Sequence, residues 1–376
     1  MRHFSVVEYR SEQSMLRYLS LIDDLTAANI PLTVGEWNSA ISFAGRWVRH
    51  VSHLQVETAT QIWLRMEREA GVASDNITFN ILFDVAAKAG KFALAEVVMK
   101  EMVSRGLPEN RFFRTNRIYY YGVKQDGAAV RQAYKDLVDA GDFVDTTVLN
   151  CVIASLIRAG EASAAEHIFE RMKTIHSERT NNKRLASATG GWRKQRQLGR
   201  VLDKAARYLR ENPQQGLAVQ EATPVTPNIH TYRLLIKYHA HESGNIDRIT
   251  DLLDEMHHSS IHIHGSIFFQ LFKGFHLHGG VRYSSWTRSR LDKLWTVFLE
   301  YVDRTAEYDN HHSLASSAEE DKGCYFDVGV VVVVLKAYNR VAGRDSALEV
   351  WDTILDKWTP EGEALDAVNH ALAKFV

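Results

Sequence analysis

The sequence contains few of the residues that interrupt or cross-link a polypeptide. Its 376 residues include only six prolines and two cysteines, Cys151 and Cys324. Because proline stops a helix in its interior, so low a proline content favours a helical protein. Two cysteines cannot build a disulfide framework or a cysteine-based zinc module, and they favour a reducing compartment.

Long apolar runs are also missing. The most apolar stretch, residues 328–335, is far shorter than the roughly 20 apolar residues that a membrane-spanning helix needs. The first residues, MRHFSVVEYRSEQS, have no apolar core and carry Glu8 and Glu12, so they resemble neither a signal peptide nor an organelle presequence. We therefore expect no integral membrane segment.

The chain has no excess of charge of either sign. Lys and Arg number 45 and Asp and Glu number 46, which gives a formal net charge of −1. This balance excludes a globally basic nucleic-acid-binding protein, although it allows a local basic surface. Apolar residues make up 45% and charged residues 24%, so the chain can bury a large core and is not disordered.

What the sequence does contain is an internal repeat. Residues 80–102, NILFDVAAKAGKFALAEVVMKEM, align with residues 150–172, NCVIASLIRAGEASAAEHIFERM, at an offset of 70. Seventy is twice 35, and Gly106 aligns with Gly141 at an offset of 35. Each unit has the apolar spacing of two amphipathic helices joined by a short turn. Neither helix can bury its apolar face alone, so neighbouring units must stack.

The repeat phase predicts seven units between two partial ones. The units are 34–75, 76–110, 111–145, 146–228, 229–264, 265–327 and 328–363. Residues 1–33 hold a partial N-terminal repeat, with a second helix over 15–33, and residues 364–376 hold a partial C-terminal helix. Unit four contains a basic insertion at 173–226, and unit six contains an acidic, Ser-rich stretch at 303–321 that we expect to be a loop. The chain resembles an excerpt from a longer array.

Short segments at the unit boundaries resemble the pentatricopeptide repeat family, organellar type. They are the openings ITFN (77–80), VLN (148–150) and IHTYRLLI (229–236), the closings RGLPEN (105–110) and TPN (226–228), and the segment SALEVWDTIL (346–355). The resemblance implies an all-α fold, an α–α superhelix built as a right-handed solenoid. It also implies binding of single-stranded RNA along the concave face, and residence in the mitochondrial matrix.

The resemblance further implies that two side chains of each unit, the fifth and the last, read one RNA base. In the first four units these pairs are Asn38/Asp75, Asn80/Asn110, Thr115/Asp145 and Asn150/Asn228. They resemble readers of uracil, of a pyrimidine (preferably cytosine), of guanine and of a pyrimidine, so the implied target is 5′-U-C-G-pyrimidine. In unit three, Asn116 could take the reading position instead of Thr115. A purely structural alternative is that Asn38, Asn80 and Asn150 cap helices.

The last three units depart from the family's reading pattern. Their pairs, which match no known combination, are Arg233/His264, Phe269/Asp327 and Val332/Glu363. The neighbouring second position, where the family places an aliphatic wedge between bases, is suited by Ile77 and Phe112 but not by Gly35, Ser266 or Gly329.

Three lysines offer these units a different contact with RNA. Lys237, Lys273 and Lys336 each follow the fifth position by four residues, so they should share its helix face. With Arg233 they are candidates for contacts to phosphates, which carry no sequence information. The alternative is an ordinary solvated helix face.

The insertion in unit four is the most basic segment of the chain. Residues 173–212 contain eleven basic and three acidic side chains, a net charge of +8. Helical spacing over 193–211 places five apolar residues on one side, namely Leu198, Val201, Leu202, Ala205 and Leu209. The contact candidates are Arg193, Lys194, Arg196 and Arg200. Such a helix could clamp RNA phosphates, dock on a ribosome or a membrane surface, or simply pack by its apolar side.

No motif indicates catalysis or a cofactor. The chain has no phosphate-binding loop, dinucleotide glycine pattern, metalloprotease signature or nucleophile elbow. Six histidines crowd residues 257–278, but no cysteine or acid accompanies them at a metal-binding spacing, so we predict no metal. We therefore expect a non-enzymatic protein.

Two functions remain open. The first is a mitochondrial single-stranded RNA-binding protein that acts in transcript stability, processing or translation. The alternative is a helical-repeat scaffold for proteins, such as a respiratory-complex assembly factor or a ribosome-associated protein.

Overall fold

A computed structural model describes residues 11–46, 51–180, 192–209, 213–311 and 323–375. Within these ranges the chain forms helices and no β-strand. The helices pair into hairpins, and the first helices of successive hairpins pack side by side. The predicted fold class, an all-α chain of stacked helical hairpins, is confirmed. No helix in the described part is long and apolar enough to cross a membrane.

The helices group into two compact bodies. The first body contains the residues up to Arg171 together with 196–225, and the boundary falls within helix α9, Ala162–Thr180. Its other helices are α1 (Glu12–Ala27), α2 (Val34–Arg46), α3 (His53–Arg68), α4 (Asn76–Lys88), α5 (Phe92–Ser104), α6 (Arg111–Val123), α7 (Gly127–Asp139), α8 (Thr146–Arg158), α10 (Trp192–Tyr208) and α11 (Pro213–Ala222).

The second body contains residues 172–195 and 226–376. Its helices are α12 (Ile229–Tyr238), a π-helical turn (His239–Ser243), α13 (Ile246–His258), α14 (Gly265–His278), α15 (Arg288–His311), α16 (Val328–Ala342), α17 (Arg344–Leu355) and α18 (Glu363–Leu372). Aromatic rings of α14 and α15 form its core, with Phe272 and Phe298 at a centroid distance of 5.6 Å.

The first helix of a hairpin begins after a polar residue that caps it. The side chains that accept a backbone N–H at these starts are Asp75, Asn110, Asp145, Asn228, His264 and Asp327. Each is the last residue of a predicted unit, so the free N–H groups of the next helix are satisfied locally. The capping alternative for Asn38, Asn80 and Asn150 is wrong, because these residues lie inside α2, α4 and α8.

The core of the first body is built largely from aromatic side chains on the first helices. Trp37 of α2, Phe79 and Phe83 of α4 and Phe113 of α6 are fully buried. The rings of Phe83 and Phe113 lie 4.9 Å apart, which joins the first helices of consecutive hairpins.

The basic insertion of unit four folds back onto the first body. Leu202 and Ala206 of α10 bury Phe143 in a small separate core. In α11, the Gln220 side chain accepts the N–H of Val144 (2.8 Å) and donates to its carbonyl (2.9 Å). The predicted apolar side of α10 is wrong at Val201, which is 55% exposed, because the buried face turns towards Gly199 and Asp203 instead.

The π-helical turn in unit five was not predicted. In units two and four, the glycine that follows the first helix with a positive φ, Gly90 or Gly160, is the fifteenth residue. In unit five it is Gly244, the sixteenth residue, with a φ of 66°. The π-helical turn absorbs this additional residue, and such turns are frequent at functional sites.

The acidic stretch of unit six is partly helical rather than a loop from its start. Helix α15 continues through His311, and residues 312–322 lie outside the described part. The helix extends into this stretch because side-chain contacts hold this turn in place. Asp303 pairs with Lys357 (2.6 Å), and the Thr305 hydroxyl accepts the N–H of Cys324 (3.2 Å).

Candidate nucleic-acid interface

In unit one, the predicted base-reading residue Asn38 is fully engaged with the next hairpin. Its amide nitrogen donates to Asp75 (3.0 Å), and its amide oxygen accepts the hydroxyl proton of Thr78 (2.7 Å). Asn38 is only 6% exposed. The structure thus brings the predicted pair Asn38/Asp75 together, but it uses both side chains to join α2 to α4.

In unit two, Asn80 is half-buried and only partly engaged. Its amide oxygen accepts a hydrogen bond from the Asn116 amide of the next unit (2.7 Å). Among the described residues, its amide nitrogen has no partner. Ile77 lies one turn earlier on α4 and is 56% exposed. This helix face therefore presents a free donor beside an uncovered aliphatic side chain, while Asn110, the other half of the predicted pair, caps α6.

In unit three, both members of the predicted guanine-reading pair are occupied. The Thr115 hydroxyl donates to the carbonyl of Arg111 in its own helix (2.8 Å). Asp145 is 1% exposed, caps α8 and pairs with the Arg111 guanidinium at 2.6 Å. In this conformation Asp145 is covered, and Thr115 has already used its hydroxyl proton. Asn116, the alternative in this unit, sits directly beside Asn80.

In unit four, the two predicted residues belong to different bodies. Asn150 is half-buried in α8 of the first body. Asn228 belongs to the second body, where its side chain accepts the N–H groups of His230 and Thr231 and caps α12.

The insertion helix α10 lies against the start of α6. Asp203 accepts the N–H of Arg111 (3.3 Å). Gly199 faces Phe112, and a Cβ added at Gly199 would lie only 3.4 Å from that ring. Phe112 occupies the second position of unit three, so α10 contacts the residue that was predicted to wedge between bases. Of the four insertion candidates, Lys194, Arg196 and Arg200 are exposed, whereas the side chain of Arg193 lies outside the described part.

In the second body, basic side chains form a row across three first helices. The charges of Lys237 and Lys273 lower the pKa of His241, and those of Lys273 and Lys336 lower the pKa of His276. In both histidines burial is the larger cause. Each of these histidines therefore lies within electrostatic range of two of the predicted lysines. No acidic partner of these lysines occurs in the part of the chain that the structure describes.

The repeat spacing alone relates these two histidines. His241 and His276 are 35 residues apart, the length of one repeat. His241 hydrogen-bonds the backbone of Gln270, and His276 hydrogen-bonds the backbone of Lys336. Each ring therefore links one first helix to the next, and one nitrogen of each, Nε2 of His241 and Nδ1 of His276, is buried without a partner.

The remaining candidates of the last three units have separate surroundings. Arg233, Phe269 and Val332 are half-buried, His264 and Asp327 cap helices, and Glu363 is exposed. Arg233 and His264 both lower the pKa of His230, after the larger effect of burial, so these three side chains are close. Within the described ranges, no three His, Cys, Asp or Glu residues converge in a group that could hold a metal ion.

The geometry of these hairpins agrees with a comparison against protein families. The profile described as "PPR repeat" matches residues 77–107 and 147–176. Two segments of the chain therefore match the PPR repeat. The two matched PPR repeats cover α4–α5 and α8–α9, the hairpins that carry Asn80 and Asn150. A search of curated protein sequences finds no match.

Two solved PPR structures are similar to this chain. One is the crystal structure of the pentatricopeptide repeat protein PPR10 from maize, with 16% identity, a TM-score of 0.37, and coverage of 96% of this chain and 45% of that one. The other is PPR10 in complex with an 18-nt psaJ RNA element, with 17% identity, a TM-score of 0.35, and coverage of 96% and 50%. The chain spans about half the length of those proteins.

Proposed function

We propose that the protein binds single-stranded RNA along its first helices. The observation that carries the proposal is the pairing of Asn80 and Ile77 on α4. Asn80 has an amide nitrogen without a partner, and the exposed Ile77 lies one turn away on the same face. An amide beside an apolar surface suits a splayed base, which is hydrogen-bonded at its edge and packed on its ring.

The second body would contribute contacts to phosphates. Lys237, Lys273 and Lys336 come from three consecutive first helices and have no acidic partner in the described residues, so their charges are free to attract a polyanion. Contacts of this kind supply affinity that does not depend on sequence. We infer that unit two discriminates between bases, whereas the lysines bind the phosphates of the strand.

The expected target is narrower than one base for each of four units. Asn38 and Asp145 already use their polar atoms within the protein, and Thr115 already uses its only donor. Reading by units one and three would therefore require these hydrogen bonds to break first. We propose a preference for a pyrimidine at unit two, with weaker selection elsewhere than 5′-U-C-G-pyrimidine implies.

For the cellular role we propose a mitochondrial matrix protein that acts on transcripts. A bound chain would block exonucleases or hold a segment single-stranded, which would affect stability, processing or translation. The mechanism is steric and needs no catalytic group or cofactor. The support for the compartment is the resemblance to organellar repeats.

The test is selection from a pool of random single-stranded RNA at near-physiological salt. The wild-type chain should enrich a pyrimidine at one fixed position, and Ile77→Ala with Asn80→Ala should abolish that enrichment. The matched control is Val97→Ala with Gln132→Ala, which removes an exposed aliphatic and an exposed amide from second helices. Absence of RNA binding by the wild type would overturn the proposal and favour the protein scaffold.

A further inference from the structure

The first body holds an unbalanced group of positive charges beside Asn80. The Arg46 guanidinium of α2 and the Lys88 ammonium of α4 share one carboxylate oxygen of Asp84, at 2.5 and 2.8 Å. The Asp84 side chain is buried and carries the single negative charge between these two cations. The ion pairs alone therefore leave this place with a net positive charge.

The insertion helix adds two further cations to the same place. Partial burial lowers the pKa of Arg196, and the charges of Arg200 and Arg46 lower it further, so the Arg196 guanidinium lies within electrostatic range of both of those groups. Neither Arg196 nor Arg200 forms an ion pair with any residue that the structure describes. Like charges that crowd together without counter-charges repel, and a bound anion relieves that repulsion.

The arginines are held in place by the docking of α10. The carboxylate of Asp203 caps the start of α6 through the N–H of Arg111, a contact between residues 92 positions apart. Gly199 faces Phe112, and Leu202 packs on Phe143. Arg196 lies seven residues before Asp203 on the same helix, so this anchorage also fixes where its backbone starts.

The charge group is adjacent to the face proposed to bind a base. Asp84 follows Asn80 by four residues in α4, so the two side chains lie one above the other on that helix. A ligand on this face would meet an amide and an aliphatic side chain first, and the two cations that share Asp84 one turn further along. A nucleotide has this order of groups, a base joined through a sugar to a phosphate.

We propose that Arg196 and Arg200 of the insertion helix bind the backbone phosphates of the RNA strand whose base contacts Asn80. The inference rests on the proposed function and extends it. The insertion helix α10 would line the RNA-binding surface on the side opposite the first helices. Acidic protein segments would meet the same charges, but the amide and aliphatic pair beside them fits a base better.

The experiment compares two charge-reversal variants of the full chain. Arg196→Glu with Arg200→Glu changes the proposed contacts. Lys91→Glu with Lys135→Glu makes the same change in net charge at exposed positions that lie outside α10 and outside the first helices. Binding of a fluorescein-labelled 20-nucleotide strand of mixed uridine and cytidine is measured by anisotropy from 50 to 300 mM salt. Thermal unfolding of both variants checks that the fold is retained.

We expect the arginine variant to lose at least tenfold in affinity. Its plot of log affinity against log salt should become shallower by about 1.4, because each phosphate contact to a single strand contributes about 0.7. The lysine variant should stay within about threefold of wild type and keep the wild-type slope. Arg196→Lys with Arg200→Lys should retain most of the affinity, since a phosphate needs a charge more than a planar fork.

Three outcomes would overturn the inference. If wild type binds the strand and both charge reversals weaken binding equally, the loss comes from the net charge of the protein, and α10 makes no specific contact with the phosphates. If the arginine variant binds polyglutamate less well but RNA as before, the site serves an acidic protein. If wild type fails to bind any RNA, the proposed function falls together with this inference, whereas the first two outcomes leave that function standing.

Discussion

The amide of Asn116 in unit three donates a hydrogen bond to the amide oxygen of Asn80 in unit two (2.7 Å). Two consecutive repeats are thus joined at the position proposed to contact a base. The bond fixes which end of the Asn80 amide faces outward, because it occupies the oxygen. The outward group is the NH₂ donor, and a donor selects a base edge that presents an acceptor.

This bond gives the first prediction, for Asn116→Ala. Without its partner, the Asn80 amide can rotate, so discrimination between a pyrimidine and a purine at that position should fall about fivefold, equivalent to about 1 kcal/mol. Thr115→Val is the matched control, since the Thr115 hydroxyl bonds its own helix. Competition binding with RNAs that differ at one base measures both. If Thr115→Val changes base preference and Asn116→Ala does not, Thr115 is the reading residue.

The second prediction concerns Asn38, whose role in this conformation is structural. Asn38→Ala removes both partners' hydrogen bonds and leaves Thr78 and Asp75 less satisfied in a buried place. The free energy of unfolding should fall by about 1–3 kcal/mol in urea titration. Asn76→Ala, which deletes an exposed bond to the Pro108 carbonyl, should change it by less than about 0.5 kcal/mol. Equal stability of the two variants would contradict the burial of Asn38.

The third prediction tests the buried ion pair under the insertion. Arg111 pairs with Asp145 and also donates to the Phe143 carbonyl (3.1 Å). Arg111→Ala leaves a buried carboxylate without its counter-charge, so the free energy of unfolding should fall by about 3–5 kcal/mol. Arg131→Ala removes an arginine whose pair with Glu161 is at the surface, and should cost less than about 1 kcal/mol. Similar losses for both variants would show that the buried position of Arg111 gives it no special weight.

The fourth prediction is a pH dependence that originates at His241. Burial lowers the pKa of this imidazole, and the charges of Lys237, Lys273 and His278 lower it further, to about 4. A hydrogen bond to the backbone of Gln270 has the opposite, smaller effect. The unfolded chain, with an ordinary pKa near 6.5, therefore binds more protons between pH 6.5 and 4. The contribution of His241 to the free energy of unfolding is thus fully present above about pH 6.5 and is lost as the pH falls towards 4.

The variant that tests this dependence is His241→Gln. Because His241 is partly exposed, solvent screens part of this effect. Between pH 7 and 4.5, the free energy of unfolding from urea titration should fall by about 2 kcal/mol more for wild type than for the variant. His257→Gln replaces an exposed histidine and should keep the wild-type dependence. Identical pH profiles for wild type and His241→Gln would rule out His241 as the source.

The starts of the helices were predictable because the signals are local. Asp75, Asn110 and Asp145 are good capping residues, and each satisfies N–H groups within three positions of itself. The turn at Gly90 needs a positive φ, which glycine adopts without strain. Aromatic and aliphatic residues at helical spacing then determine which face of each helix is buried.

The candidate site was less predictable, because the availability of a polar side chain depends on what surrounds it. Asn38 and Asn80 occupy the same position of consecutive units, yet Asn38 bonds to Thr78 and Asp75, while Asn80 bonds only to Asn116 among the described residues. Nothing in the spacing distinguishes them. Likewise, the position of Asp145 matched a base-reading pattern, and only the fold revealed that Asp145 is buried and paired with Arg111.

By itself, then, the sequence determined the all-α fold, the phase of the repeat and the helix starts, since capping, turn and periodicity act over a few residues. Tertiary structure alone decided that α10 docks on Phe143, that Asp203 reaches Arg111 across 92 positions, and that the environment of His241 includes two lysines. These contacts join residues that are distant along the chain. Their energies depend on burial and on neighbouring charges, which no local pattern encodes.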